Sequence, residues 1–211
     1  MASSGISVGP DGVARCWWSD SDDLRRYHDI EWGRPVDDDR RLFEKLILEG
    51  FMSGLSWLTI LRKRENFRAA FRGFEPEAVA GFGARDISRL MGDAGIVRNR
   101  AKIEATINNA RLYADLRREA GSLAAYVWRY EPKRRRRLLD RAELMAAGLP
   151  PEAVALSKDL RRRGWSFVGP TTVHSFMQAM GLINDHLKGC VAGREAQRLR
   201  REFAIPRLDK A

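Results

Sequence analysis

An all-α fold is what this 211-residue sequence predicts, on three observations. Apolar residues recur at helical spacing along nearly its whole length. No segment alternates apolar and polar residues in the manner of a half-buried strand. The periodic segments also begin at residues that start helices: aspartates, serine or proline.

Taken in order, residues 1–14 are small and polar, with neither a basic leader nor an apolar stretch, and predict a disordered tail. Asp37, Asp38 and Asp39 give an acidic start to a helix whose stripe is Leu42, Phe43, Leu46 and Ile47. Negative charge there complements the free N–H groups of a first turn. Ser56 caps a second helix carrying Ile60, Leu61, Phe67 and Phe71. Pro76 opens a short helix reaching Phe82, and Asp86 caps another bearing Ile87, Leu90 and Met91. Residues 99–113 read as a long helix through Ile103, Ile107, Ala110 and Leu112. Helices over 123–130 and 152–163 follow. Pro170 then opens one with Val173, Phe176, Met177 and Met180 on its apolar face. The basic run 133–137 after Pro132 reads as a solvated loop. One helical domain over 15–192 is expected, followed by a charged extension over 193–211.

The formal charge is +10, carried mostly by arginine. A polyanionic partner is indicated, with nucleic acid first and an anionic membrane surface second. Arginine-rich genomic composition is the competing explanation. No run of about eighteen apolar residues offers a membrane span, and a cytoplasmic location is expected. Between the segments at 86 and 99, Gly92 to Val97 form a short glycine-containing turn. A helix-hairpin-helix over about 86–113 would aim N–H groups near Gly95 at a phosphate, with Arg98, Arg100 and Lys102 adding charge. An ordinary corner between two helices fits the same residues.

Both cysteines and two of the three histidines fall into two pairs, Cys16 with His28 and His186 with Cys190. A soft cation such as Zn²⁺ takes four N/S ligands in a closed structural site. The four-residue spacing of His186 and Cys190 puts them on one face of a helical turn. Unrelated buried thiols fit the spacing equally well, whereas a disulfide is disfavoured in a reducing compartment. Glu49 lies on the apolar stripe of its helix, three residues after Leu46, and a carboxylate placed there needs partners. Gly50 and Gly54 follow it, Trp57 lies two turns on, and Trp17, Trp18, Tyr27 and Trp32 cluster near the first cysteine. Aromatic planes with one carboxylate suit a flipped nucleobase: rings stack on it and the carboxylate accepts from an exocyclic amine. Plain core packing of the rings is the alternative.

Read together, these motifs resemble the bacterial DNA-3-methyladenine glycosylase I family. The resemblance is carried by Arg15, Cys16 and Trp18, by Tyr27, His28, Asp29, Glu31, Trp32 and Gly33, and by Leu48, Glu49 and Gly50. Gly54 to Trp57, Arg62 to Asn66, Asp93 to Ile96 and Arg98 to Ile103 continue it. Phe167 to Gly169, Ser175 to Ala179 and Asn184 to His186 end it. It covers roughly residues 15–190 and is collinear.

The resemblance implies a helix-hairpin-helix glycosylase fold in which Cys16, His28, His186 and Cys190 hold one structural zinc that joins the termini. It implies excision of 3-methyladenine from alkylated double-stranded DNA by a monomeric, monofunctional enzyme of the bacterial nucleoid. Glu49 would contact the base as recognition group first and catalyst second. Tyr27 and Trp57 would pack on the base, and Trp18 would help line the pocket. The superfamily's usual aspartate is expected to be missing, and the segment 169–180 contains no acid. Leu24 stands where the family has an aromatic residue, Met52 lies where glutamine is common, and 133–156 diverges. A glycosylase for another alkylpurine, or a lesion-binding module without activity, are the alternatives. His174 is a third histidine without an assigned part.

Overall fold

The computed structural model describes residues 5–135 and 137–207. Its helices are α1 (Asp22–Ile30), α2 (Asp39–Met52), α3 (Trp57–Ala70), α4 (Pro76–Ala80), α5 (Ala84–Gly92) and α6 (Arg100–Ala120). They continue as α7 (Leu123–Trp128), α8 (Arg141–Ala147), α9 (Pro151–Arg162), α10 (Pro170–Ala179) and α11 (Val191–Glu202). Starts expected from the sequence are present at Ser56, whose side chain accepts from Thr59 N, and at Asn99, which accepts from Lys102 N. Pro76 and Pro170 occupy first helical positions. Asp86 does not cap its helix. It lies inside the first turn and accepts from the N–H of Gly83, where α5 begins.

Helix α2 is the axis of the molecule. Its stripe predicts one buried face, yet residues 42–51 are buried on every side. Helices α3, α6, α7 and α10 surround it. A helix enclosed in this way must bring partners for its charges. Asp39, in the first turn, accepts from the N–H groups of Leu123 and Ala124 and from the Tyr113 hydroxyl, each at 2.8 Å. One carboxylate thereby caps α7 and ties it to α2 and α6. Glu44 receives Arg68 of α3 at 2.8–3.1 Å.

Three expectations are corrected. Residues 5–14 depart from the disordered tail expected for 1–14, residues 1–4 of which lie outside the described residues. Strand β1 (Ile6–Val8) pairs antiparallel with β2 (Ala14–Cys16), in the register Ile6 to Cys16. Three-residue strands are too short to show a period of two, so the sequence pattern misses them. The second correction concerns the extension at 193–211. Helix α11 starts at Val191 and buries Ala192, Gly193, Ala196 and Arg200. Arg200 pairs with Glu131 and lies 4.7 Å over the Trp128 ring, so the helix belongs to the body. Residues 208–211 lie outside the described residues. The third concerns residues 186–190, which form an irregular turn before α11 and not a helical turn.

The chain between α1 and α2 is locked to the end of α10. Gly33 N donates to Ala179 O and Val36 N to Met180 O, and Trp128 Nε1 donates to Val36 O. Gly181 makes this contact possible. Its φ is +77°, and a Cβ there would stand 2.4 Å from Pro35 N.

Because Asp39 satisfies three donors on two other helices, Asp39→Ala is expected to lower stability by about 3 kcal/mol in urea denaturation. A loss below about 1 kcal/mol would show that the cap is dispensable.

Candidate functional site

Two neighbouring clusters are built from the N-terminal segment and α2. In the first, Cys16 ends β2, His28 sits on α1, His186 lies in the turn after α10, and Cys190 caps α11. All four are buried, and one ligand atom from each lies within 4.8 Å of the others. Cys190 Sγ is 3.2 Å from His28 Nε2 and 3.4 Å from His186 Nδ1, and Cys16 Sγ is 3.9 Å from His186 Nδ1. Those spacings suit the corners of a tetrahedral S₂N₂ set around one ion.

The remaining ring nitrogens are already engaged. His28 Nδ1 meets Asp29 Oδ1 at 2.8 Å, and His186 Nε2 meets Trp32 O at 3.2 Å. Such outer contacts fix the rings and leave the inward nitrogens as ligands. Asp29 is held in turn by Arg15, which also grips Asp11. The Cys16 thiol and the two imidazoles pull the Cys190 thiol far below its ordinary range, toward the thiolate that a metal binds. The residues present therefore fit a soft metal ion.

The second cluster lies on α1, α2 and the start of α3. Glu49 and Tyr27 are each 4% exposed. Between them stands Lys45, a residue that the sequence reading did not single out. Its ammonium is 3.0 Å from Glu49 Oε1 and donates to the Tyr27 hydroxyl at 2.6 Å. It also lies 3.3 Å from the Trp57 ring centroid and 4.7 Å from that of Tyr27. The signal available was spacing: Lys45 precedes Glu49 by four residues and so shares its face. Burial lowers the Lys45 pKa below the usual lysine value, an effect that the Glu49 charge opposes. Burial and the charges of Glu49 and Glu31 push the Tyr27 phenol well above its ordinary value. Glu49 Oε2 and Trp57 Nε1 are buried without a hydrogen-bond partner among the described residues.

Trp18 links the clusters, edge-on to His28 at 5.2 Å and to Trp32 at 5.0 Å, and 6.3 Å from Tyr27. The rings expected around Glu49 are thus brought together. Gly50, in contrast, opens no space for a ligand: a Cβ there would press on Phe167 at 3.2 Å. Gly54, with φ of +82°, faces open space beside Trp57.

The expected phosphate-contacting set is divided by the structure. Arg98 and Arg100 are exposed, and Arg100 faces Glu104 at 3.4 Å. Lys102 is buried, and its ammonium donates to Phe51 O and Ser53 O, closing the C-terminus of α2. Its ammonium is thereby engaged within the fold, unlike the exposed guanidinium groups of Arg98 and Arg100. The Gly95 N–H donates to Asp93 Oδ1, and the Gly95 carbonyl accepts from Lys63 and Asn66. Gly95 therefore shapes the turn and has no free N–H for a phosphate. A second helix-turn-helix sits between α9 and α10, which pack together more extensively than α5 and α6. His174 lies 3.3 Å from Asp185, a buried carboxylate that also receives Arg135 and Gln178. A cleft of about 410 Å³ lined by Glu131, Arg134, Arg135 and Arg200 shares no lining residue with the ring cluster.

Comparison with known proteins matches residues 17–193 to the methyladenine glycosylase family. DNA-3-methyladenine glycosylase 1 of Escherichia coli is 45% identical over 180 residues, which are 84% of this chain and 96% of that protein. The Haemophilus influenzae DNA-3-methyladenine glycosylase is 40% identical over 84% of this chain and 97% of its own length. A structure of the Staphylococcus aureus 3-methyladenine DNA glycosylase I, solved for its recognition of 3-methyladenine, superposes with a TM-score of 0.78. That protein is 40% identical, and the match covers 82% of this chain and 92% of the other. A variant 3-methyladenine DNA glycosylase I in complex with 3-methyladenine gives the same TM-score at 39% identity, over 84% of this chain and 95% of that one.

The Lys45–Glu49 pair is buried, so removing one partner leaves a charge without compensation. Lys45→Met is expected to cost about 3 kcal/mol of stability, and the double change Lys45→Met with Glu49→Gln to regain most of it. Equal losses in the single and double variants, measured by thermal or urea denaturation, would mean that the two side chains are uncoupled.

Proposed function

The chain belongs to the methyladenine glycosylase family, and from that membership we propose that it hydrolyses the N-glycosidic bond of 3-methyladenine in alkylated DNA. The free base and an abasic site are the products, which places the enzyme in base-excision repair. The observation that carries the reading is the meeting of buried Glu49 and Tyr27 with half-buried Trp57 around the Lys45 ammonium. Family membership supports the reaction, and this cluster supports placing it at Glu49.

Methylation at N3 makes the purine cationic and weakens the glycosidic bond before the enzyme acts. The base departs neutral, so no general acid has to protonate it. That chemistry tolerates the absence of an acid in 169–180. What remains for the protein is extrusion of the base, discrimination and electrostatic stabilisation of the sugar cation. The unpartnered Oε2 of Glu49 is suited to accept from the exocyclic amine of an entering base. Tyr27 and Trp57 supply the faces on which it stacks, and Trp18 borders them. The Glu49 charge also stabilises positive charge developing on the sugar, and water completes the hydrolysis.

Backbone phosphates are assigned to the exposed Arg98 and Arg100, beside the turn between α5 and α6. The two helix-turn-helix units, α5–α6 and α9–α10, are the candidates for the helix-hairpin-helix of the fold. The expected working form is a monomer. No helix among the described residues is long and apolar enough to cross a membrane.

We infer that the ion of the four-residue cluster is a single zinc. A closed S₂N₂ set supplies cross-linking only, because four protein ligands leave no position for substrate or water. Cys16 and His28 then fasten β2 and α1 to His186 and Cys190 at the other end of the chain.

Incubation with methylated duplex DNA is expected to release 3-methyladenine and leave abasic sites. Glu49→Gln should slow that release about a hundredfold, the scale for losing one preorganised electrostatic contact. Full activity of Glu49→Gln would remove Glu49 from the proposed role. Elemental analysis should find one zinc per chain. Stripping it with a chelator, or making Cys190→Ser, should lower the melting temperature and loosen the segment bearing Trp18 and Tyr27. A metal-free protein that melts unchanged would overturn the clasp.

A further inference from the structure

The proposed base site already contains a positive charge that belongs to the chain. Lys45 Nζ stands 3.3 Å from the centroid of the Trp57 ring. A stacked base needs that face at a contact distance of about 3.5 Å, so base and ammonium cannot share it. Nor do Tyr27 and Trp57 leave a slot between them. Their centroids are 5.2 Å apart and their planes are inclined by 46°, whereas a sandwiched ring needs about 7 Å, twice the contact distance. The same ammonium occupies Glu49 Oε1 and the Tyr27 hydroxyl. One lysine therefore engages Glu49 through Oε1, the Tyr27 hydroxyl and a face of Trp57, leaving Glu49 Oε2 open.

We propose that Lys45 is a resident competitor for the base site, and that a flipped base enters only by displacing its ammonium from Glu49 and the two rings. This rests on the glycosylase reading and adds a residue to it. The exchange is one cation for another. Withdrawing the ammonium strips the buried Glu49 of its ion pair, and a neutral adenine or guanine does not replace that charge. A cationic alkylpurine brings its own charge to the carboxylate and to the ring faces, which attract cations. Selectivity belongs to Glu49 and the rings. Lys45 sets the threshold that every base must exceed, so that undamaged bases are not retained. Its four-carbon stem, one turn before Glu49 on α2, provides the reach for withdrawal without movement of the helix.

Competition and co-residence lead to opposite results. A displaced competitor weakens all bases by a common factor. A lysine that stays in the pocket repels cations alone. The probes are 3,9-dimethyladeninium, a permanent cation shaped like the lesion, and neutral 9-methyladenine. Their affinities are measured for the wild type, Lys45→Met and Lys45→Gln, with melting curves to establish folding. Both probes should bind both variants more tightly, roughly tenfold, the scale of one cation–π and ion-pair contact. In the wild type labelled with ¹³C at lysine Cε, the Lys45 signal, assigned through Lys45→Arg, should be ring-shifted and lose that shift when the cationic probe binds.

Tightening of the cation alone, tightening of neither probe, or a Lys45 signal that keeps its shift at saturation overturns the proposal. If neither uncharged variant folds, the wild-type signal decides. Release of 3-methyladenine from methylated DNA by the wild type is measured alongside. Release together with any of those results defeats the competitor and leaves the glycosylase reading standing. Absence of release defeats the reading, and the competitor with it.

Discussion

A helix buried on every side cannot leave a charge alone, and that constraint on α2 organises the molecule. Asp39, Glu44, Lys45 and Glu49 all lie on it, and each draws a partner from another turn or element. Asp39 fixes α7 and α6, Glu44 fixes α3 through Arg68, and Lys45 reaches Tyr27 on α1. Removing one member of such a pair leaves its partner buried and uncompensated, so these contacts disfavour other arrangements of the elements. Both oxygens of Asp39 and of Glu44 are hydrogen-bonded. Glu49 keeps one oxygen, Oε2, without a partner, and a buried polar atom left unsatisfied calls for an explanation. The role proposed for Glu49 supplies one, since an entering base would give that oxygen its missing partner.

The second organising element is the Cys–His cluster. Its effect on the site is indirect, through chain connectivity. Tyr27 precedes His28 on α1, and Trp18 lies two residues after Cys16. Fixing Cys16 and His28 therefore fixes both rings. The outer contacts extend the same control, since Arg15 bridges the β1–β2 ribbon to Asp29 and thereby to His28. A segment with little core of its own is held in register over Lys45 and Glu49. A metal bound by the four residues would tie this segment through β2 and α1 to the turn before α11.

The sequence makes the helical content, most helix starts and the meeting of distant residues legible. Ser56, Asn99, Pro76 and Pro170 act locally, and local chemistry is what a sequence displays. The meeting of Cys16 and His28 with His186 and Cys190, and of Tyr27 with Glu49, is implied by family likeness alone, because periodicity carries no information about contacts so far apart. What escaped depends on tertiary context. Lys102 looks like a phosphate ligand in a basic motif, but the end of α2 offers it two carbonyl groups. Lys45 looks like a surface lysine beside an apolar stripe, until the helix proves to be enclosed. The β1–β2 ribbon is too short for any pattern, and α11 hides four buried positions within a charged stretch.

Charge balance connects these points to DNA. Many arginines that make the chain basic are committed internally: Arg15, Arg64, Arg68, Arg135, Arg163 and Arg200 all face carboxylates. Basic composition alone therefore overstates the charge available to a partner. Internal pairing can neutralise at most the 28 acidic residues, however, and 38 lysines and arginines leave a surplus of 10. That surplus has to be met from outside the chain. Exposed pairs such as Arg100 with Glu104 contribute little to stability, so a phosphate can replace the carboxylate at small cost. The same exchange of one charged partner for another operates in the pocket at Lys45 and Glu49. At the surface it trades acid for phosphate, and in the core it trades lysine for a cationic base. The partner released differs in cost: an exposed carboxylate such as Glu104 returns to water, whereas the Lys45 ammonium leaves a buried contact, so the pocket exchange is the more demanding of the two.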